Sequence, residues 1–453
     1  MWRTIIPTSH GPSIAVGLTT LMVGILIPTS TPTSVTSNES SSRRTCSFPG
    51  CIFLPKDILH DYTTKAALTK IRYVSKDNIL KHTTTQQALV ELLPAGDQTM
   101  ATLTLIGFKG NDPIYQVNQD RAFVISPYLI HKTDTPGTED IQTQRLMGVF
   151  DGHAQYGERV SEYSSQQFPI ILAEKLHSYL KQNHPLSPQQ RDAKIIQALE
   201  ETFVYIDKTA PAHPSGGCTA SVILQMGSKL YIANAGDSKS FIVVHSALTD
   251  YTTVVYMTRD DKPDLPDELE RIERMGGRVS LPQYHDATSR VLYWDTNTDS
   301  MAGLAMSRSL GDWDAGQVGV IPNPTVHVMD MKDLIHQMQW SESEDDVYIF
   351  AVSASDGMMD YVDAKTIAKT FVPALFQTEG SHPLTACEHL IALAAHGWQR
   401  AKDGTYRDDI AIAVQTLRTP PNQPTYPQQQ QPMTGQSTQK RDNSNNNNDT
   451  SKA

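Results

Sequence analysis

Strand-like apolar segments that end at an aspartate recur along this chain, and they constrain its fold more than any other feature. The clearest of them runs from Leu146 to Phe150 and stops at Asp151-Gly152-His153. A strand end can hold a carboxylate rigidly at the mouth of a cleft, and glycine lets a backbone carbonyl approach a ligand closely. Taken alone, Asp-Gly-His is more typical of a tight turn than of a binding site.

Four more aspartates occur in the same setting, at the ends of predicted strands and mostly beside glycine or another small residue: Asp120, Asp237, Asp356 and Asp408. For each one alone, a turn or capping role is the more common explanation, whereas the set predicts that one end of a sheet system gathers carboxylates. Close carboxylates repel each other, and one of them would take up a proton unless cations were present. An all-oxygen site of this kind favours Mg²⁺ or Mn²⁺, and two such ions can activate a shared water.

The composition excludes several other classes of function. The chain has 453 residues, of which 39% are hydrophobic and 19% charged, with a formal net charge of −11. No segment is basic enough to follow a phosphate backbone, so a nucleic-acid partner is not expected. The cysteines are too few for a disulfide scaffold and form no zinc motif, although Cys46 and Cys51 are close enough to bridge in an oxidising compartment.

The N-terminal segment contains an apolar run of fourteen residues, from Ile14 to Ile27, with Arg3 ahead of it. As a helix it would span roughly 21 Å, short of the roughly 30 Å hydrocarbon core of a bilayer. We therefore expect a secretory signal in preference to a membrane anchor, with an organellar or untargeted extension as the remaining alternative. The protein would be secretory or membrane-associated in the first two cases, and otherwise cytoplasmic or organellar.

A series of motifs in fixed order identifies a family. They are Asn118-Gln119-Asp120, Val149–His153, Gly216–Ala220, Ala233–Ser238, Asp261-Lys262-Pro263 followed by Glu268, Arg271-Ile272 and Gly276-Gly277, Leu304–Asp312, Ser355-Asp356-Gly357, and Arg407–Ala411. In this order they resemble the PPM-type, metal-dependent protein serine/threonine phosphatases (protein phosphatase 2C-like). The match covers about residues 97–418, and it is specific because eight motifs stand in register.

The resemblance implies an α+β fold of four αββα layers, with a central antiparallel β-sandwich flanked by helices on both faces. It also implies a site for two Mg²⁺ or Mn²⁺ ions at one end of the sandwich. In that site Asp151 would bridge both ions, the Gly152 carbonyl would contact one, and Asp356 and Asp408 would bind the other. The bridging water would attack the phosphorus of phosphoserine or phosphothreonine in protein substrates.

Three further residues receive roles from the same resemblance. Asp120 would act mostly through bound water, and Asp237 would belong to a weaker third-metal position. His153 or a metal-bound water would protonate the leaving group, although a lone histidine after glycine is also a common structural residue. The expected partners are phosphoprotein substrates, with no nucleic acid and with the protein as a monomer.

The chain departs from the family pattern at three positions. Tyr115 stands five residues before Asp120, where many members have an arginine that holds the substrate phosphate. Lys109 and Arg121 are the candidates to replace that arginine, and the sequence does not choose between them. In addition, Gln119 replaces the commoner glutamate and Asp409 stands where asparagine is frequent.

These departures motivate an alternative from another functional class, a catalytically impaired pseudophosphatase that acts as a phosphoprotein-binding regulatory module. Retention of the whole set of aspartates favours the active enzyme. A cysteine-dependent phosphatase is excluded, because the position of its essential arginine, six residues after each cysteine, is filled by other residues: Ile52, Asp57, Leu224 and Leu393. No Gly-x4-Gly-Lys-Ser/Thr loop supports P-loop chemistry.

Four regions are predicted along the chain. They are a targeting or low-complexity segment (1–45), an extension of unknown role (46–96), the phosphatase catalytic domain (97–418), and a Gln/Asn/Pro-rich tail (419–453). The tail is predicted to be disordered, because it has almost no apolar residues to bury. Residues 280–303 are polar and are predicted to form an irregular surface flap.

Overall fold

The computed structural model describes residues 99–107, 109, 117–126, 128, 144–180, 185–213, 215–282, 288–337, 346–377, 382–403 and 406–419, and the backbone of 72–73 and 91–92. All of them lie in the compact unit Phe48–Ala453. The apolar run Ile14–Ile27, the Cys46/Cys51 pair, Tyr115 and the predicted tail after residue 419 lie outside the described residues. Among the helices that are described, none is long and apolar enough to cross a membrane.

The described strands, in chain order, are β1 (Arg72–Tyr73), β2 (Glu91–Leu92), β3 (Met100–Leu105), β4 (Arg121–Ile125), β5 (Arg145–Phe150), β6 (Gly152–His153), β7 (Gly217–Cys218), β8 (Ala220–Met226), β9 (Lys229–Ala235), β10 (Lys239–Ser246), β11 (Tyr251–Met257), β12 (Arg278–Ser280), β13 (Arg290–Asp295), β14 (Ser300–Leu304), β15 (Leu310–Gly311), β16 (Thr325–Asp330), β17 (Val347–Ala354) and β18 (Ile410–Arg418). The helices are α1 (Gly157–Leu180), α2 (Pro188–Thr209), α3 (Pro266–Arg274), α4 (Trp313–Gly316), α5 (Met331–Gln337), α6 (Asp356–Met359), α7 (Ala364–Val372) and α8 (Pro383–Lys402), with a π-helical turn at Pro373–Gln377.

Two five-stranded antiparallel sheets form the centre of the fold. One has the strand order β16-β9-β8-β5-β4 and the other β11-β10-β17-β18-β3. Their facing sides enclose one apolar core, to which Val149, Ile232 and Ile349 contribute fully buried side chains. Each such side chain stabilises the fold by roughly 1.5–3 kcal/mol through burial.

Helices cover both outer faces of this sandwich. Helices α1 and α2 pack on the first sheet, where Phe168 contacts both Phe150 and Phe203. Helices α7 and α8 pack on the second sheet through Phe371 and Trp398. The predicted α+β fold with four αββα layers is therefore confirmed.

Local signals place several of these elements. Helix α2 begins after Ser187, because Ser187 Oγ accepts from Gln190 N at 3.2 Å and Gln190 Oε1 accepts from Ser187 N at 2.9 Å. The β8–β9 hairpin turns at Gly227, whose φ of +67° suits glycine. Helix α7 ends at Val372, since Pro373 has no backbone N–H to continue the α-helix.

The predicted irregular flap over 280–303 is wrong. Residues 290–304 form β13 and β14, which pair with β12 in a separate three-stranded antiparallel sheet. Val291 and Tyr293 point inward to a small apolar cluster that includes Ile272, while Leu292 and Trp294 point outward. Apolar residues on the outward side, such as Trp294 and Met301, conceal this alternation in the sequence.

Candidate active site

The five aspartates lie at one end of the two sheets, as the strand pairing requires. Arg121 at the start of β4 is paired with Phe150 at the end of β5, and Ala354 at the end of β17 is paired with Ile412 near the start of β18. Asp120 and Asp151 directly adjoin a strand end. Asp237, Asp356 and Asp408 each lie two residues from one.

Burial and mutual repulsion raise the pKa values of Asp151 and Asp356. Desolvation, followed by the charges of Asp120, Asp356 and Asp408, raises the pKa of Asp151 well above its ordinary value. Desolvation and the charges of Asp237 and Asp408 do the same for Asp356, whose carboxyl group is hydrogen-bonded to Asp151. These carboxylates are thus held together against their own repulsion, which indicates a cluster built to receive positive charge.

Asp120 is the most deeply buried of the set, with no exposed surface. Desolvation and the charge of Asp409 raise its pKa to about 7, although a hydrogen bond from Ser355 Oγ to Asp120 Oδ2 at 2.7 Å acts in the opposite direction. Its other oxygen, Oδ1, is buried with no hydrogen-bond partner, and so is Oδ1 of Asp237. Buried acceptor oxygens without hydrogen-bond partners are suited to bind a cation.

Lysines occupy part of the cluster. Lys109 Nζ lies 2.7 Å from Asp408 Oδ1 and 3.3 Å from Asp409 Oδ2, and Lys262 Nζ lies 2.6 Å from Asp237 Oδ2. Within the described residues, no three His, Cys, Asp or Glu side chains are arranged so as to hold a metal ion. The donor set still fits a hard divalent cation, because it consists of oxygens, two of them unpartnered, and because the positions of the two ammonium groups show that it attracts positive charge.

Lys109 and Arg121, the two candidates for holding a phosphate, are placed differently. The Arg121 guanidinium donates to the carbonyls of Asn118 at 2.7 Å and Asp120 at 2.8 Å and pairs with Glu162. Lys109 lies among the aspartates, and 34% of its side chain is exposed. Burial lowers the pKa of Lys109, but Asp409 and Asp408 outweigh it and raise the pKa above its ordinary value.

Asp409 is held on the side of the cluster away from solvent. Its side chain is 2% exposed, and its two oxygens accept from the backbone N–H groups of Gly107 at 2.5 Å and Gln119 at 3.1 Å. The extra negative charge that this residue adds to the family pattern is therefore balanced by two amide dipoles and by Lys109. Gly357 is required beside it, because a Cβ there would lie 1.9 Å from the Asp409 carbonyl oxygen.

The Asp151-Gly152 step is fixed by the neighbouring chain. Thr219 N donates to the Asp151 carbonyl at 2.9 Å, and Thr219 Oγ1 accepts from Asp151 N at 3.1 Å. Gly152 N donates to the Gln119 carbonyl at 3.2 Å, and a Cβ at Gly152 would lie 2.6 Å from that same oxygen. Glycine is thus needed here for close packing, and its role as a carbonyl ligand stays a prediction.

His153 has a partner that sequence reasoning did not single out. Its Nε2 lies 2.6 Å from Asp312 Oδ2, which also accepts from Ser309 Oγ at 2.7 Å. Desolvation lowers the pKa of His153, but Asp312 outweighs this and the pKa is raised overall. Nδ1 is buried without a partner. The only available signal for Asp312 was its position at the end of the Leu304–Asp312 motif.

Comparison with known proteins supports a specific family. The family model described as "Protein phosphatase 2C" matches residues 124–397, more than half of the chain. The chain is 29% identical over 289 residues to "Probable protein phosphatase 2C 1" of Arabidopsis thaliana, an alignment that covers 58% of each protein. It is 30% identical over 272 residues to "Probable protein phosphatase 2C 64" of Oryza sativa subsp. japonica, covering 59% of this chain and 57% of the relative.

The chain thus spans less than two thirds of the length of these two relatives. Among solved structures, the serine-threonine phosphatase 2C from Toxoplasma gondii is 18% identical, with a TM-score of 0.50, and the match covers 71% of this chain and 96% of that one. At this identity the likeness concerns the fold alone.

Proposed function

The chain belongs to the protein phosphatase 2C family, and from this we propose that it hydrolyses phosphoserine and phosphothreonine in proteins. The observation that carries the proposal is the cluster of Asp120, Asp151 and Asp356 with Asp237 and Asp408, in which Oδ1 of Asp120 and Oδ1 of Asp237 are buried without hydrogen-bond partners and the pKa values of Asp151 and Asp356 are raised. Such a cluster is costly to a protein that does not use it, because each ionised carboxylate is desolvated beside others.

We propose Asp151, Asp356 and Asp408 as the side chains that hold two Mg²⁺ or Mn²⁺ ions, with Asp120 and Asp237 beside them. When bound, the two ions would lower the pKa of a water and offset the charge of the phosphoryl group. Ser355 keeps one oxygen of Asp120 fixed, and Thr219 keeps the backbone of Asp151 fixed. The chain thus supplies carboxylates that need little rearrangement, which favours catalysis.

His153 is proposed to carry the proton to the leaving oxygen. Asp312 holds its Nε2, which leaves Nδ1 as the nitrogen that can deliver a proton to serine or threonine. The raised pKa of His153 keeps the imidazole protonated over more of the neutral range. Asp312 therefore acts as a positioning residue for this histidine.

Lys109 is proposed to donate to an oxygen of the substrate phosphoryl group. Its ammonium group lies at the cluster and is partly exposed, whereas Arg121 is committed to two carbonyls and to Glu162. A metal ion that takes Asp408 would free the lysine from that carboxylate while Asp409 still held it nearby. In many proteins, lysine binds phosphate through its compact positive charge.

The proposed activity is tested with the full-length chain, a phosphothreonine peptide and an aryl phosphate. We expect turnover with Mn²⁺ or Mg²⁺ and none after chelation, because the carboxylate cluster alone repels an anionic substrate. Turnover that persists without any divalent ion would contradict the two-metal site. Saturable binding of the phosphopeptide without turnover would favour the pseudophosphatase, an alternative supported by the ammonium groups that now occupy Asp237 and Asp408.

The variant Lys109→Met is expected to raise both KM for the aryl phosphate and the inhibition constant of inorganic phosphate by roughly tenfold, because a charge-assisted contact is lost. Lys109→Arg should retain most of the affinity. Lys229→Met is the matched control, since Lys229 is 30% exposed and pairs with Asp192 at 2.6 Å at the opposite end of the sandwich. Equal inhibition constants in Lys109→Met and wild type would remove Lys109 from the phosphate site.

A further inference from the structure

The three-stranded sheet of β12, β13 and β14 has one buried face and one exposed face. Residues directly opposite in an antiparallel pair share a face, so Trp294 and its partner Met301 stand side by side. Their neighbours Val291 and Tyr293 point to the other side and are buried. Trp294 is 52% exposed and Met301 59% exposed. An aromatic ring and a thioether chain are thus held together in water on a rigid strand pair.

The same face carries positive charge. Arg278 is paired with Leu292, which is two residues before Trp294, and Arg290 is two residues before Leu292. Both arginines are exposed. Neither has a carboxylate partner among the described residues, and the Arg290 guanidinium donates only to the Gly303 carbonyl, at 2.9 Å. We call these five residues the outer face: Arg278, Arg290, Leu292, Trp294 and Met301.

The turn that joins β13 to β14 connects the outer face to the candidate active site. Asn297 Nδ2 donates to Gln155 Oε1 at 2.7 Å, two residues after His153. On the other side, Thr296 donates through both its backbone N–H and its hydroxyl to Asp314 Oδ2, at 2.8 Å each, two residues after Asp312. The hairpin is therefore hydrogen-bonded to the two segments that carry His153 and Asp312.

We propose that the outer face binds a protein substrate beside its phosphorylated residue, with a bulky apolar side chain on Trp294 and Met301 and acidic side chains on Arg278 and Arg290. This inference rests on the proposed function and deepens it, because it names a class of substrate. Partly exposed tryptophan in a preformed site is a common anchor of protein recognition. Exposed arginines that no described carboxylate pairs with, on a chain of net charge −11, select for negative charge in the partner.

The spacing makes this geometry accessible to one extended segment. Trp294 precedes Asn297 by three residues, which corresponds to roughly 10 Å of strand. Because the turn at Asn297 contacts the segment that carries His153, we expect an extended substrate to meet the outer face on one side of its phosphorylated residue.

The proposal is tested with a set of acidic phosphothreonine peptides in which one leucine is moved along an otherwise serine-rich sequence. For wild type, we expect one or two leucine positions to lower KM by roughly five- to twentyfold, since burial of an aromatic anchor contributes that much to recognition. Trp294→Ser and Met301→Ser should abolish the gain without changing kcat for the aryl phosphate. Exposed side chains can be replaced in this way with little effect on folding.

Leu248→Ser serves as the matched control, because Leu248 is 61% exposed and lies at the β10–β11 turn on the other sheet. It should leave the leucine preference intact. A wild-type enzyme that is indifferent to leucine, or a preference that Trp294→Ser leaves unchanged, would overturn the proposal.

A binding measurement separates this proposal from the proposed function. Fluorescence anisotropy of the labelled leucine peptide needs no turnover, so binding that depends on Trp294 in an inactive protein would support the outer face and reject the phosphatase. Turnover without Trp294-dependent binding would support the phosphatase activity and reject the outer face as a substrate-binding surface. If sedimentation shows a dimer that Trp294→Ser dissociates, the outer face is instead a contact between copies of this chain, and the substrate proposal fails.

Discussion

Replacing Asp356 with asparagine is expected to reduce turnover of the aryl phosphate by roughly two to three orders of magnitude and, without metal, to make the protein more stable. The loss of turnover follows from the removal of a charge that we assign to metal binding. The gain in stability follows from the raised pKa of Asp356, which reflects desolvation and then the charges of Asp237 and Asp408. At pH 7.5, the asparagine removes that cost, roughly 1–3 kcal/mol.

Thermal unfolding with and without Mn²⁺ measures the second effect. The metal-free variant should melt a few degrees above the metal-free wild type, whereas saturating Mn²⁺ should stabilise the wild type more than the variant and reverse the order. Asp207→Asn is the control, since burial raises the pKa of Asp207 to about 6 outside the cluster. It should shift the melting temperature equally with and without Mn²⁺. A metal-free Asp356→Asn protein that melts at a lower temperature than the metal-free wild type would contradict the claim that repulsion between these carboxylates destabilises the metal-free fold.

The general fold could be predicted from the sequence because its signals are local. Strands such as β8 and β17 are buried along their whole length, and they read as continuous apolar segments that end at glycine or aspartate. The hairpin at Gly227 and the capping box at Ser187 depend on neighbouring residues only. The β13–β14 hairpin was missed because apolar residues stand on both of its faces, with Val291 and Tyr293 inside and Trp294 and Met301 outside, so the sequence lacks the usual alternation of apolar and polar residues.

The contacts within the site depend on residues far apart in sequence, and they could not be predicted. Asp312 is separated from His153 by 159 positions in the sequence. Lys109 and Asp408 lie near opposite ends of the predicted catalytic region, 97–418. Arg121 adjoins Asp120 in sequence and was an equal candidate for the phosphate, but Glu162 on α1 draws its guanidinium away. The position of a long side chain in the sequence does not show which way the side chain points. An ion-pair partner on another element determines that orientation.

A second large effect is expected from Glu268→Gln, which should lower the free energy of unfolding by roughly 3–5 kcal/mol, because the largely buried side chains of Arg271 and Arg308 lose the carboxylate that lies closest to them. Glu268 is fully buried. Its two oxygens accept from Arg259, Arg271 and Arg308, each at 2.6 Å, and from Ser307 Oγ at 2.6 Å. These partners belong to different segments, so this carboxylate joins the segment after β11, helix α3 and the segment before β15.

The pH dependence of stability provides an independent measure of the same interaction. The hydrogen bonds from Arg308, Arg271 and Ser307 outweigh desolvation and lower the pKa of Glu268 to about 2. A carboxylate with a depressed pKa stabilises the fold above its unfolded value of about 4.3, and that stabilisation is lost as pH falls from there toward 2. Chemical denaturation between pH 7 and pH 3 should therefore show a steeper loss for wild type than for Glu268→Gln. Glu270 is an exposed position on the same helix, and Glu270→Gln should match the wild type in both stability and the dependence of stability on pH. A Glu268→Gln protein as stable as this control would show that the arginines do not depend on Glu268.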